Sequence, residues 1–133
     1  MPALTQDRNT SRREGVELDY EVAAGAKIYA GSLVCLNTSG YAVPGADTAG
    51  YKFLGVAQEQ KDNSSGANGD LTVRVRRTGV HRFAGTALAI TDIGTSVYVS
   101  DDQTVAKSTT NSVACGQIAE FVSATEVGVD IAR

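Results

Sequence analysis

Apolar and polar residues alternate with a period of two along much of the chain beyond Tyr20. In LTVRVRR (71–77), Leu71, Val73 and Val75 fall on one side and Thr72, Arg74 and Arg76 on the other. In EVGVDIA (126–132), Val127, Val129 and Ile131 form one row, opposite Glu126, Gly128 and Asp130. That spacing is the one an extended strand needs to keep one face dry and the other wet. Other short runs rich in Val, Ile, Tyr and Phe predict further strands: LVCLN (33–37), YKFLGVAQE (51–59), GVHRFAG (79–85), SVYVS (96–100) and CGQIAEFVS (115–123). Between them lie NTSG, PGADTAG, KDNSSGANGD, SDDQ and STTNS, whose Gly, Asn, Asp and Ser suit turns. No sustained 3.6-residue stripe is present, and one helical turn is predicted, around TALAITDIG. The predicted class is all-β: a compact antiparallel β-barrel or β-sandwich of short strands with little helix.

The pattern returns at long range. GSLVCLN begins at Gly31 and GTSVYVS at Gly94, and each leads through a polar turn into a short run, YAV or TVA. GVAQE at Gly55 is echoed by GQIAE at Gly116, at a spacing two residues shorter. A strand–turn–strand–loop–strand unit used twice, with a shorter loop in the second copy, accounts for both echoes.

The first residues break the pattern. From Thr5 to Glu14 nearly every position is polar, with Arg8, Arg12 and Arg13 beside Asp7 and Glu14. A segment with so little to bury reads as a flexible arm, here residues 1–18, ahead of a single β domain over 19–133. It has neither an apolar run of signal-peptide length nor a neighbour long enough to span a bilayer, which points to a protein made in a cytoplasm.

Composition narrows the function classes. A chain of 133 residues suffices for one core. A formal charge of −3 argues against a bulk-charge nucleic-acid binder, and the absence of Trp argues against an aromatic stacking platform. Cys35 and Cys115 belong to no C-x-x-C pair and read as small core-fillers. His81 stands without a serine elbow or a ligand set, so no catalytic, cofactor or metal residues are assigned. Asp101, Asp102, Asp62 and Asp70 occupy turn clusters where Asp serves the backbone.

The strongest charged feature is RVRRTGVHR. Thr78-Gly79 suggests a tight turn that would pair the flanking strands and gather Arg74, Arg76 and Arg82 on one sheet face. Guanidinium forks suit an acidic protein surface. These three, with Arg8, Arg12 and Arg13, are the candidate contact residues.

Over about residues 16–131 the chain resembles the capsid cement, or head decoration, proteins of tailed phages and prophages. The residues that carry the resemblance are AGAKIYAGSLV (24–34), GYAVPG (40–45), LGVA (54–57), VRVRR (73–77) and VYVSDDQTV (97–105). The resemblance implies a non-enzymatic virion protein on the outer capsid surface, assembled in the bacterial cytoplasm. It further implies a homotrimer that bridges major capsid protein subunits, with no cofactor, membrane or nucleic-acid partner. Two other readings stand beside it: a tail or head–tail connector component, and a small carbohydrate-binding module using Asp101 and Asp102.

Overall fold

The computed structural model describes residues 3–9 and 15–131. Its strands are β1 (Glu17–Glu21), β2 (Lys27–Ile28), β3 (Leu33–Leu36), β4 (Ala42–Pro44), β5 (Lys52–Ala57), β6 (Lys61–Asp62), β7 (Thr72–Arg76), β8 (Val80–Ala84), β9 (Ser96–Val99), β10 (Val105–Ala106), β11 (Ala114–Ser123) and β12 (Glu126–Asp130). Among the described residues a single 3-10 turn, Ile90–Asp92, falls within the predicted TALAITDIG. Each strand read from the hydropathy pattern is present, and the ladders between named strands are antiparallel. The fold is all-β.

Two five-stranded sheets carry the structure, with orders β1-β7-β5-β3-β4 and β8-β12-β11-β9-β10. Matched strand for strand, these are one topology used twice. A parallel bridge between Val22 and Ala42 joins the two ends of the first order, and one between Ala84 and Thr104 joins those of the second. Both sheets therefore curl back on themselves. The echo in the sequence is an architectural repeat, with units spanning roughly β1–β7 and β8–β12.

The correspondence extends to an irregularity. In the first unit Val34 faces Gly55 while Cys35 faces Phe53, so that Leu54 is bulged out. In the second, Val97 faces Gly116 and Tyr98 faces Ala114, with Cys115 as the extra residue. Gly55 has φ 152° and Gly116 φ 143°, a region that side chains rarely adopt. A Cβ on Gly55 would run into the backbone oxygen of Arg76, and one on Gly116 into that of Asp130. Each glycine thus permits a bulge that bends its strand and tightens the curl.

The cores show how the units join. Val22, Ala26, Ile28, Val34, Ala42, Ala57, Val73 and Val75 belong to a cluster inside the first unit. Leu33, Cys35, Phe53 and Val56 instead join Val97, Val99, Val105, Cys115, Ile118, Val127, Val129 and Ile131 in a larger one. β3 is therefore apolar toward both sides, which is why LVCL runs without the alternation seen in β7. Cys35 and Cys115 are buried thiols, and the Cys115 Sγ–H donates to the Val97 carbonyl at 3.6 Å. Two polar links reinforce the seam. The Leu33 N–H donates to the Asp102 carbonyl at 2.8 Å. The Asp47 carboxylate accepts from the N–H groups of Thr110 and Asn111 at 3.2 and 2.9 Å.

The units differ most between their last two strands. β11 and β12 are joined by a short turn, whereas β5 and β7 are separated by the long KDNSSGANGD loop. Asn63, 3% exposed, anchors that loop by donating from Nδ2 to the carbonyls of Val22, Ala23 and Ala67. Its backbone bonds with Ala26 and Gly25 hold β6 beside β2.

Two expectations need adjustment. β7 and β8 do not form a hairpin: β7 pairs with β1 and β5, and β8 with β12. The Thr78-Gly79 break is the passage from one unit to the next. The sheet also begins at Glu17, so Glu17 and Leu18, placed by the sequence in the arm, are strand residues paired with Arg76 and Val75.

Candidate interaction surface

The arginines read as one patch are distributed over both units. Arg74 lies on the exposed face of β7, its Nε 3.6 Å from an oxygen of Asp19 on β1. Arg76, half-buried, stands opposite Glu17 on one side and Val56 on the other. Arg82 belongs to β8 in the second sheet, and its Nε donates to Glu120 on β11 at 3.1 Å, reaching across Gly128 of the intervening β12. Clustering on one sheet face is thus corrected by the absence of the β7–β8 hairpin. Arg8 is exposed and outside any strand, while Arg12 and Arg13 lie outside the described residues.

Arg74 and Arg82 each meet a carboxylate supplied by a neighbouring strand. Asp19 faces Arg74 because β1 and β7 are in register, and Glu120 lies over Gly128 because glycine offers no side chain to separate it from Arg82. Both pairs are more than half exposed or close to it, so they hold local charge balance and contribute little to stability. The surface they make is a checker of both signs.

Other titratable groups serve turns. Asp62 is held below the ordinary carboxylate range by hydrogen bonds from the Ser64 side chain and backbone N–H, with Lys27 adding a smaller attraction. Asp92 is lowered by the Ala89 N–H, which donates to it at 2.9 Å, and then by Lys107 Nζ at 3.2 Å. Asp101 accepts from the Gln103 N–H at 2.9 Å and shapes the β9–β10 turn. His81 Nε2 lies 3.0 Å from the Thr78 carbonyl, at the passage between units. Among the described residues, no cluster of three or more His, Cys, Asp and Glu has the arrangement of a metal site.

What the hydropathy pattern did not single out is a set of exposed apolar side chains. Ile90 (66% exposed) opens the 3-10 turn and Ile93 (49%) follows it, Val122 projects from β11, and Val80 projects from β8 on the same face as Arg82. Tyr29 is 51% exposed, with Lys27 Nζ 5.2 Å from its ring centre. A signal for the isoleucines was available: AITDIG sets two of them in a turn segment with no alternating partner strand. Tyr29 also edges an open depression at the seam, together with Ala30, Gly31, Ser32, Asp102 and Gln103. A second depression lies over Glu17, Leu18, Asp19 and Arg74.

The described surface thus carries exposed apolar side chains and, on each sheet, an exposed ion pair. Comparison with protein-family models, curated proteins and solved structures gave no match to this chain.

Proposed function

We propose that the protein is a non-enzymatic decoration protein of a tailed-phage head, bound to the outer surface of the shell as a homotrimer and bridging major capsid subunits. The observation that carries this reading is where the motifs behind the resemblance lie. AGAKIYAGSLV supplies β2 and the turn into β3, and GYAVPG supplies β4. LGVA holds the bulge glycine of β5, VRVRR is β7, and VYVSDDQTV spans β9, the seam-forming turn and β10. These are framework positions of the doubled fold, so the residues behind the resemblance are ones that build the architecture.

The role follows from that architecture. A doubled, internally bonded β module presents a stiff surface, and many copies on a lattice turn modest individual contacts into strong retention. Arg8, Arg12 and Arg13 of the arm act as cationic contacts to the shell, Arg74 and Arg82 orient the body through exchangeable pairs with carboxylates, and Arg76 adds a further cation. Ile90, Ile93 and Val122 add apolar contact area.

The test is co-sedimentation of the purified protein with expanded heads and with unexpanded proheads of the phage that encodes it, alongside its mass by light scattering. Saturable binding to expanded heads by a trimer supports the proposal. A strict monomer that ignores both particles overturns it.

A further inference from the structure

The long loop of the first unit carries an Asn68-Gly69 pair, and the fold treats both residues in an unusual way. Asn-Gly is the dipeptide in which the following backbone nitrogen most readily reaches the Asn side chain, because glycine adds no Cβ to obstruct it. Here Asn68 is exposed, and its Oδ1 accepts from the Ala24 N–H at 2.7 Å. The Gly69 N–H, the group that would have to attack, donates to the Val22 carbonyl at 2.9 Å. Gly69 has φ 81°, a left-handed conformation fixed by the turn.

We propose that Asn68 is a site of spontaneous deamidation and that closure of this loop over residues 22–24 holds the reaction in check. The Gly69 nitrogen loses its proton and bonds to the Asn68 side-chain carbonyl carbon. The C–N bond to the amide nitrogen breaks, ammonia leaves, and a succinimide remains. Water then opens that ring to aspartate or isoaspartate. The net change is asparagine plus water to acid plus ammonia, and no other reactant is needed.

In the closed loop the nitrogen is committed to Val22 and the side chain to Ala24, on opposite partners. Reaction therefore requires local opening that breaks both bonds. The lock has named supports. Asn63 Nδ2 bonds the Val22, Ala23 and Ala67 carbonyls, and an Asp70 oxygen accepts from the Ala67 N–H at 2.8 Å. Once formed, the isoaspartate product maintains the opening. Isoaspartate lengthens the backbone and breaks the register, whereas aspartate keeps an oxygen for the Ala24 N–H and adds a charge near Glu21, whose side chain lies beside Gly69. Asn68 is thus a one-way element whose rate reports how often the loop lifts.

The experiment is timed incubation of the full-length protein in mildly alkaline buffer, followed by peptide mass spectrometry that separates aspartate from isoaspartate. Three samples are compared: native protein, protein unfolded in urea, and folded Asn63→Ala, with the exposed Asp70→Ala as the alternative if N63A does not fold. In urea, Asn68 is expected to react ahead of Asn9, Asn37, Asn63 and Asn111. In the native protein it reacts at least about tenfold more slowly, and loosening the loop restores much of the difference. Equal native and unfolded rates overturn the lock. An unfolded chain that deamidates elsewhere first overturns the site.

Discussion

Gly55 and Gly116 hold the same position in two copies of one fold, each at a bulge and each pressed against the carbonyl of the strand beside it. The equivalence yields a matched pair of predictions. Gly55→Ala and Gly116→Ala should each lower stability by about 2–4 kcal/mol, from backbone strain and from the forced retreat of the neighbouring strand. Urea denaturation of both variants checks this. A variant as stable as the parent would show that its bulge is dispensable.

Asn63→Ala removes a buried amide that donates to three carbonyls. A loss of about 2–3 kcal/mol is expected, since buried acceptors are left without their donor. Hydrogen exchange should rise first at Gly25 and Gly69, whose N–H groups lie in the same network. Uniform acceleration across both units would instead mean that the loop and the sheets open together.

The exposed pairs should behave differently. Arg74→Ala and Arg82→Ala are each expected to change stability by less than about 1 kcal/mol, because solvent screens ion pairs of this exposure. If the proposed docking role holds, the same substitutions lower retention on heads, and more so at reduced salt. A large thermal shift with unchanged retention would assign these residues to the fold.

Asp92 yields a pH dependence. Its carboxyl is held below the ordinary value of 3.8 by the Ala89 N–H and then by Lys107. A depressed carboxylate contributes stability that is complete above its unfolded pKa and is lost as pH falls through the lower folded one. The 85–93 segment should therefore loosen below about pH 4, read by chemical shifts of Ala89 and Ile93. Asp92→Asn should remove that acid step.

Much of the architecture was legible in local sequence. Strand positions followed from alternation, and the repeat from Gly31, Gly55, Gly94 and Gly116, because bulges and turns need particular residues at particular places. Strand partners were less accessible. Thr78-Gly79 has the chemistry of a tight turn, but β8 is drawn to β12 by the Phe83–Val127 and His81–Val129 pairings, a choice made far along the chain. The location of Arg82 was misjudged for that reason. β1 was hidden because ELDYE carries three acids, and its inward Leu18 and Tyr20 gain meaning only beside Val75 and Val73. The exposed isoleucines were missed because alternation identifies what is buried and is silent on apolar side chains left outside.

The two-sided strand β3 has one more implication. At the positions where the first unit buries Leu33, Cys35, Phe53 and Val56, the second carries Ser96, Tyr98, Ala114 and Gln117, exposed or half-exposed. Identical units, each with an apolar back, would invite a third to stack on the second and a fourth on the third. Divergence of those four positions leaves the second unit without the apolar back that such stacking would need. The same four differences therefore decide the direction of the join: the first unit lends its back to the shared core, and the second turns its own equivalent face to water.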